Sequence, residues 1–297
     1  MKCDLCPRKC LVDRKKGEKG ICGQTENLKV ARAALHFWEE PCISGDAGSG
    51  AVFFSGCPLH CVFCQNENIA NGTVGKEISL ERLVDIFLEL QEKGANNINL
   101  VTPGHFVPQI VKALDQARME WLTLPVVYNT SSYETVDTIK MLEGYVDIYL
   151  PDFKYMSPVL SKKYSHAPDY AEVAKAAIAE MVRQTGKAVF VNGDEDNLIL
   201  SGTIVRHLTL PGCMADSMQI LKYLHDTYGD KIYISIMNQF TPLSNLEKYP
   251  ELNRRITDEE YETLVDYAID IGIENGFIQE GDTAEESFIP AFDCEGV

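Results

Sequence analysis

Short apolar runs alternate with amphipathic helical patterns along most of this chain. The runs predicted as strands are residues 51–55, 98–101, 125–129, 146–150, 204–210 and 231–237. The helical patterns cover residues 80–94, behind the predicted N-cap Ser79, and then 107–119, 135–142, 170–185, 215–228 and 258–271. Because strands that alternate with helices pair in parallel through right-handed crossovers, we expect an α/β fold. The length of 297 residues suits one large barrel or two modest domains.

Three cysteines follow the first predicted strand at C-x3-C-x2-C spacing: Cys57, Cys61 and Cys64. Thiolates hold iron–sulfur clusters, and such a cluster normally takes four of them. If these three bind one cubane cluster, its fourth iron is open to an outside ligand. A structural zinc site is the alternative, although zinc prefers four closed ligands, usually spaced in pairs.

A second set of cysteines lies near the N-terminus at C-x2-C-x3-C-x11-C spacing: Cys3, Cys6, Cys10 and Cys22. Glycines make the intervening backbone rich in turns, as expected for a chain wrapped around an ion. Four thiolates fit a closed tetrahedral zinc site. An auxiliary iron–sulfur cluster and four independent reduced thiols are the other interpretations, and the sequence leaves all three open.

Polar residues follow most of the predicted strands, where parallel barrels carry their active sites. In chain order they are Thr102, Pro103, Gly104 and His105, then Asn129, Ser131 and Ser132, then Asp152 and Lys154, and finally Asn238 and Gln239. Arg206 and His207 are the exceptions, because they lie within the fifth strand. We expect these residues and the cysteine triad to gather at one edge of the sheet.

The charge of the chain is strongly acidic, with 27 basic and 44 acidic residues and a net charge of −17. Such a surface repels phosphate backbones, so no nucleic-acid partner is expected. No apolar run approaches the ~18 residues that a membrane span needs, and no apolar signal core follows Met1. We therefore expect a cytoplasmic protein without a membrane partner, whose ten cysteines serve metal or redox chemistry rather than disulfides.

The three-cysteine motif, with Phe63 directly before its last cysteine, resembles the signature of the radical S-adenosylmethionine (SAM) superfamily. An ordered set of segments resembles its pyruvate formate-lyase activating enzyme-like branch: CDLCPRKC…GICG, FFSGCPLHCVFCQN, LVTPGHFVP, YNTSSYE, LPDFKY, VRHLTLPG and MNQFTP. The resemblance implies a partial (β/α)6 radical SAM barrel over residues 49–245. A Cys-rich N-terminal extension over 1–48 would precede it, and a C-terminal helix and tail over 246–297 would pack on it.

The resemblance also implies a chemistry. A [4Fe–4S] cluster on Cys57, Cys61 and Cys64 would bind SAM at its open iron and cleave it reductively to methionine and a 5′-deoxyadenosyl radical, which abstracts a hydrogen atom from the substrate. An electron donor such as flavodoxin or ferredoxin would supply the electron. The protein's own part would be to position the reactants, exclude water and tune the cluster potential.

Site residues follow from the same resemblance. Asp152 and Lys154 look like the Asp-x-Lys segment of the activases that install glycyl radicals, in which the lysine neutralises the SAM carboxylate and the aspartate orients it or the substrate. Arg206 resembles the strand-five arginine of that group. His105 is a further candidate for a cofactor or substrate contact, and Cys213 is more simply explained as a buried thiol.

Other residues suit the parts of a bound sulfonium nucleoside. The turn of Thr102, Pro103 and Gly104 can present backbone groups to the methionine ammonium. Asn129 and Ser131 suit ribose hydroxyls or the carboxylate. Phe63 can pack on the adenine face. Each of these residues also has an ordinary role in a loop or core as the alternative.

The substrate is less constrained than the cofactor. Activation of a glycyl radical enzyme is one prediction, but the ferredoxin-like cysteine insert of many activases is absent between Cys64 and Gly75. Radical modification of a small molecule or peptide is the alternative among enzymes. A non-catalytic iron–sulfur or metal-binding scaffold is the alternative from another class.

Overall fold

The structure is a computed structural model that describes residues 2–194, 197–242, 246–279 and 290–297. In these ranges its centre is one ten-stranded sheet. The strands are Leu28–His36 (β1), Ser49–Phe54 (β2), Lys76–Ile78 (β3), Ile98–Val101 (β4), Val126–Thr130 (β5), Ile148–Pro151 (β6), Val189–Phe190 (β7), Ile199–Leu208 (β8), Tyr233–Met237 (β9) and Gly276–Ile278 (β10).

The sheet is parallel through its middle and open at its ends. Strands β2, β4, β5, β6, β8 and β9 are parallel neighbours in that order, and β10 adds a short parallel strand beside β9. At the other end β1 pairs antiparallel with both β2 and β3. The six predicted strands and the predicted partial (β/α)6 barrel are therefore confirmed.

α-Helices alternate with most of the parallel strands in the described residues. They are Pro41–Ser44 (α1), Glu67–Ala70 (α2), Leu80–Glu92 (α3), Val107–Met119 (α4), Val136–Lys140 (α5), Pro158–Ser165 (α6), Tyr170–Thr185 (α7), Met214–Tyr228 (α8) and Asp258–Asp270 (α9). Helix α3 begins as predicted, because the Ser79 hydroxyl accepts a hydrogen bond from the Arg82 amide at 3.1 Å. Its fully buried Phe87 lies in one core cluster with Leu100 of β4, and burial of such a side chain contributes about 1.5–3 kcal/mol.

Strand β1 is the main element that the sequence analysis did not predict. It lies within the expected N-terminal extension, yet it pairs with β2 from Val30 to His36, so the sheet begins before residue 49. Its burial does not alternate, since Val30, Ala31, Ala33 and Ala34 are all buried and thus cover both faces. Without a period of two, the stretch has no clear strand pattern.

The C-terminal residues return to the first strand. The Ala33 amide donates to the Glu295 carbonyl at 2.8 Å, and the Cys294 amide donates to the Ala31 carbonyl at 3.0 Å. Arg32 pairs with Asp293 at 3.0 Å. Residues 280–289 of the predicted tail lie outside the described residues. Across the described chain, no helix is both long and apolar enough to cross a membrane.

Candidate active site

One cavity of about 1120 Å³ lies where the parallel strands end. It gathers most of the predicted site residues. Those that line it are Cys57, Cys61, Phe63, Cys64, Thr102, Asn129, Ser131, Asp152, Lys154 and Arg206. Pro103, Gly104, His105 and Cys213 are not in this lining, and neither are the four N-terminal cysteines.

The loop that carries the cysteine triad, residues 56–64, follows β2 through a sharp turn. Gly56 has φ +91°, and a Cβ there would lie 2.5 Å from the Cys22 carbonyl oxygen, so the turn requires glycine. The Leu59 amide donates to the Cys57 sulfur at 3.4 Å. Burial raises the pKa of Cys57 to about 11 and also raises the pKa of Cys61 and of Cys64. These thiols therefore keep their protons at neutral pH and release them when a metal centre binds.

The triad fits a cluster better than a single ion. Nowhere in the described residues do three His, Cys, Asp or Glu side chains converge closely enough to hold one metal ion. A cubane cluster spreads its ligands farther apart than a lone ion does, and the three thiols remain close enough to raise one another's pKa. No other cysteine of the described chain lines the cavity. The donor set thus suits a cluster that has three protein thiolates and one open iron.

A short hydrogen-bonded chain reaches one of these sulfurs. The Ser165 hydroxyl lies 3.1 Å from the Cys61 sulfur, and the Tyr155 hydroxyl lies 2.7 Å from the Ser165 oxygen. Both residues are fully buried. Hydrogen bonds to cluster sulfurs stabilise the reduced state and raise the cluster potential.

Ser165→Ala tests this contact. We expect the midpoint potential of the reconstituted cluster to fall, because the sulfur loses a donor, while the free energy of unfolding falls by only about 1 kcal/mol. Redox titration followed by electron paramagnetic resonance (EPR) measures the potential. Ser161→Ala is the matched control, because Ser161 is equally buried but bonds only to the Pro158 carbonyl, at 3.3 Å. An unchanged potential in Ser165→Ala would contradict the assignment.

Asp152 lies between two cations at the cavity wall. Its Oδ2 accepts from Lys154 Nζ at 2.6 Å, and its Oδ1 accepts from Arg206 Nε at 3.0 Å. Burial raises the pKa of Asp152, but Lys154 and Arg206 together outweigh it and leave this pKa below its usual range. For Lys154, burial lowers the pKa and Asp152 outweighs it, so the net shift is upward. All three groups are therefore charged, and a Lys154 ammonium faces the triad.

Glu39 completes this network and was not predicted. Its Oε2 accepts from Arg206 Nη1 at 3.0 Å. Its Oε1 accepts from the side-chain amides of Asn99 at 3.0 Å and Asn129 at 3.2 Å. The sequence held one local sign that such an acid was needed. Asn99 is a buried amide within the otherwise apolar strand β4, and a buried amide needs a polar partner.

The turn after β4 packs against the buried side chain of Glu134. Thr102 has φ +56°, and its amide donates to the Asn129 carbonyl at 2.9 Å. Gly104 packs against the Glu134 carboxylate so closely that no Cβ would fit. Glu134 accepts from the Thr130 hydroxyl at 2.8 Å, and burial raises its pKa from 4.5 to about 7. The turn thus presents the Thr102 backbone to the cavity, whereas Gly104 serves its packing.

Glu134 should make stability depend on pH. Because its folded pKa is raised, the native state binds the extra proton, so the stability it contributes is complete below about pH 4.5 and is lost as pH rises through about 7. The loss is at most about 3 kcal/mol. We expect Glu134→Gln to flatten this slope in urea unfolding at a series of pH values. A slope that persists in the variant would show that another group causes it.

The four N-terminal cysteines lie together outside the cavity. Burial, the Glu134 carboxylate and the neighbouring Cys22 and Cys10 thiols together raise the pKa of Cys6 to about 12. Cys22 is influenced in the same way by Cys3 and Cys10. These thiols are thus near one another, but no three of them converge closely enough in the described residues to hold one metal ion.

This N-terminal segment also holds the cluster loop in place. Arg8 donates to the carbonyls of Pro58 at 2.9 Å and Ser165 at 3.0 Å, and its guanidinium lies 5.0 Å from the Tyr133 ring centre. His60, inside the cluster loop, bonds to the Ile21 carbonyl at 2.8 Å. The segment thus fixes the path of the backbone that carries the triad.

His105 does not line the cavity, and its contacts are structural. The cofactor or substrate contact that the sequence suggested is therefore not seen for this side chain. It is 4% exposed, its Nε2 bonds to the Ser55 carbonyl at 2.7 Å, and Arg14 donates to its carbonyl at 2.5 Å. Burial lowers the pKa of His105 to about 3, so the ring is neutral. It links the N-terminal segment to the end of β2.

Comparisons with known proteins agree with this geometry. Residues 51–197 match the model of the Radical SAM superfamily. An uncharacterized protein of Methanocaldococcus jannaschii is 27% identical over 273 residues, which are 90% of this chain and 74% of the relative.

Solved structures share the fold at low sequence identity. HydG, a maturase of the [FeFe]-hydrogenase, is similar over 78% of this chain and 52% of its own, with a TM-score of 0.52 and 15% identity. Streptococcus suis SuiB bound to S-adenosylmethionine is similar over 75% of this chain and 48% of its own, with a TM-score of 0.51 and 11% identity. The chain thus spans about half the length of these two proteins, and the likeness concerns the fold alone.

Proposed function

We propose that this chain, whose residues 51–197 match the model of the Radical SAM superfamily, cleaves SAM reductively at a [4Fe–4S] cluster on Cys57, Cys61 and Cys64. The bound cofactors supply a 5′-deoxyadenosyl radical for hydrogen abstraction. The observation that carries the proposal is a three-thiol loop at one end of a cavity that also contains a fixed, charged Asp152–Lys154 pair.

The residues of the chain bind and orient the cofactor. The Lys154 ammonium offsets the SAM carboxylate, and Asp152 keeps that ammonium charged and in place. The backbone of Thr102 and the side chains of Asn129 and Ser131 offer hydrogen bonds to the methionine and ribose ends. Phe63 packs edge-on to Tyr155 and Phe240, so it presents a fixed ring to the cavity.

Anaerobic reconstitution with iron and sulfide, followed by dithionite and SAM, tests this function. The expected products are methionine and 5′-deoxyadenosine. A filled cluster that gives no nucleoside would favour a metal-binding scaffold. An electron donor such as flavodoxin or ferredoxin is expected to replace dithionite.

For the substrate, we propose first that the chain activates a glycyl radical enzyme. The pattern of Asp152, Lys154 and Arg206 supports this proposal. A glycine-centred EPR signal on a partner protein from the same genome is the expected result. The second candidate is modification of a small molecule or peptide. It is supported by a cavity of about 1120 Å³ whose lining extends beyond the predicted cofactor residues to Trp38 and Glu40. Nucleoside formation without any partner radical would select this second candidate.

The N-terminal thiols are proposed to hold a structural zinc ion or a second cluster. Metal analysis of Cys6→Ser against the wild type should show the loss of that one centre, while part of the SAM cleavage survives. If Cys6→Ser lost both nucleoside formation and the EPR signal of the first cluster, a purely structural role of the N-terminal centre would be contradicted.

A further inference from the structure

The cavity extends beyond the cofactor residues to a second acidic side chain, Glu40. Glu40 lines the cavity and is 8% exposed. The side chain of Ser235 bonds to its carboxyl group, whereas its Oε2 has no hydrogen-bond partner among the described residues. A buried carboxyl oxygen without a partner is costly, so its place in a cavity wall suggests that a ligand supplies the missing donor.

Among the buried carboxyl groups of the described residues that line the cavity, Asp152 and Glu39 each form an ion pair, whereas Glu40 does not. In the described lining the buried charged side chains are Glu39, Glu40, Asp152, Lys154 and Arg206, three acids against two bases. Lys154 is paired with Asp152, and Arg206 is bonded to Asp152 and Glu39 at 3.0 Å each. Burial raises the pKa of Glu40 more than Arg206 lowers it through space. A cation bound beside the carboxyl group would lower this pKa again and so stabilise the charged form.

The position of Glu40 separates it from the cluster loop. Its partner Ser235 is the middle residue of β9, whereas the triad follows the carboxyl end of β2. Its neighbour Glu39 bonds to Asn99, within β4. Ser235 is also paired in register with Arg206, so Glu40 lies beside the Asp152–Arg206 network. Neither β9 nor the segment after β1 carries a predicted cofactor residue, so this wall of the cavity is open to a second molecule.

Resting on the proposed SAM cleavage, we propose that Glu40 anchors a cationic, hydrogen-bond-donating group of the substrate, either a protonated amine or a guanidinium. Such a group supplies both the missing hydrogen bond and the missing positive charge. A neutral alcohol supplies only the first, and a carboxylate supplies neither. The substrate class is thus a molecule or side chain that carries a terminal cation.

Binding of small probes tests the anchor. The protein is the full-length, reconstituted, oxidised and SAM-loaded form, so that the cofactor site is filled and no turnover occurs. The probes are n-butylammonium chloride, 1-butanol and sodium butyrate, titrated by calorimetry. We expect the amine to bind at least about tenfold more tightly than the alcohol, which corresponds to one charged hydrogen bond.

Matched variants locate the effect. Glu40→Gln keeps the shape but removes the charge, so it should abolish the preference for the amine. Glu120→Gln, at an exposed carboxylate outside the cavity, should retain it and so controls for the acidic surface. If Glu40→Gln does not fold, Glu40→Asp replaces it, and amine affinity should fall about fivefold with alcohol affinity unchanged. Equal binding of amine and alcohol to the wild type, or an amine preference that survives undiminished in the Glu40 variant, would overturn the proposal.

The same preparations are assayed for 5′-deoxyadenosine after reduction. Nucleoside formation without an amine preference overturns the anchor and leaves the proposed function intact. An amine preference without nucleoside formation supports the anchor and overturns the proposed function.

Discussion

Replacing Cys61 by alanine is expected to reduce 5′-deoxyadenosine formation to background. The variant leaves two thiolates for a cluster that has only three, and it also removes the sulfur that Ser165 contacts at 3.1 Å. Nucleoside product measured by chromatography after anaerobic reconstitution reports the activity, and iron content reports whether the cluster is still held.

Cys294→Ser is the matched control for this variant. Cys294 lies outside the cavity and joins β1 through its backbone amide, so the substitution should leave iron content and nucleoside formation near wild-type levels. Nucleoside formation by Cys61→Ala at more than a few per cent of the wild-type rate would show that the triad does not hold the reacting cluster.

Replacing Arg206 by methionine is expected to lower the free energy of unfolding by about 3–5 kcal/mol. The Arg206 side chain is 13% exposed and bonds to Asp152, Glu39 and Asn129. Removing it leaves Asp152 with Lys154 as its one cation and leaves Glu39 without any cation partner among the described residues. Urea unfolding measures the change as a shift of midpoint at constant slope.

Arg206→Lys provides the comparison, because it keeps the charge but cannot bond to three partners with one planar group. We expect an unfolding free energy between those of the wild type and Arg206→Met.

Asp152 should also change how stability depends on pH. Its pKa is lowered in the folded state, so its contribution is present above the unfolded pKa and is lost as pH falls through the folded value. Without Arg206 that loss should begin at a higher pH. A loss of stability below about 1 kcal/mol in Arg206→Met would contradict a structural role for the network.

Local patterns predicted much of the fold. The helix bounds Val107–Met119 and Tyr170–Thr185 match their predictions to the residue, because strong apolar periodicity is bounded there by a proline or by Gly186. The cysteine triad was found from its C-x3-C-x2-C spacing, and Asp152 from its resemblance to an Asp-x-Lys segment. Both also follow predicted strands, where active-site residues of parallel sheets lie.

Long-range pairing could not be predicted in this way. Glu39 meets Arg206 across 167 residues, and nothing near either residue indicates the other. The same holds for Arg8, which reaches Ser165 across 157 residues and so connects the N-terminal segment to the cluster loop. These contacts depend on the tertiary arrangement, which brings the segment after β1 against β8.

His105 shows the opposite case. Its position after a strand made it a candidate, yet the ring turns into the protein and bonds to the Ser55 carbonyl. Position in sequence places a residue at the correct edge of the sheet. It does not determine whether the side chain faces the cavity or the core.

The central claim is that three protein thiolates leave one iron free for SAM. Electron–nuclear double resonance on the reduced, reconstituted protein with SAM labelled with ¹⁵N in its amino group tests it most directly. We predict a strong ¹⁵N coupling, as expected for an amine bound to iron. A filled cluster whose spectrum shows no ¹⁵N coupling would contradict the account.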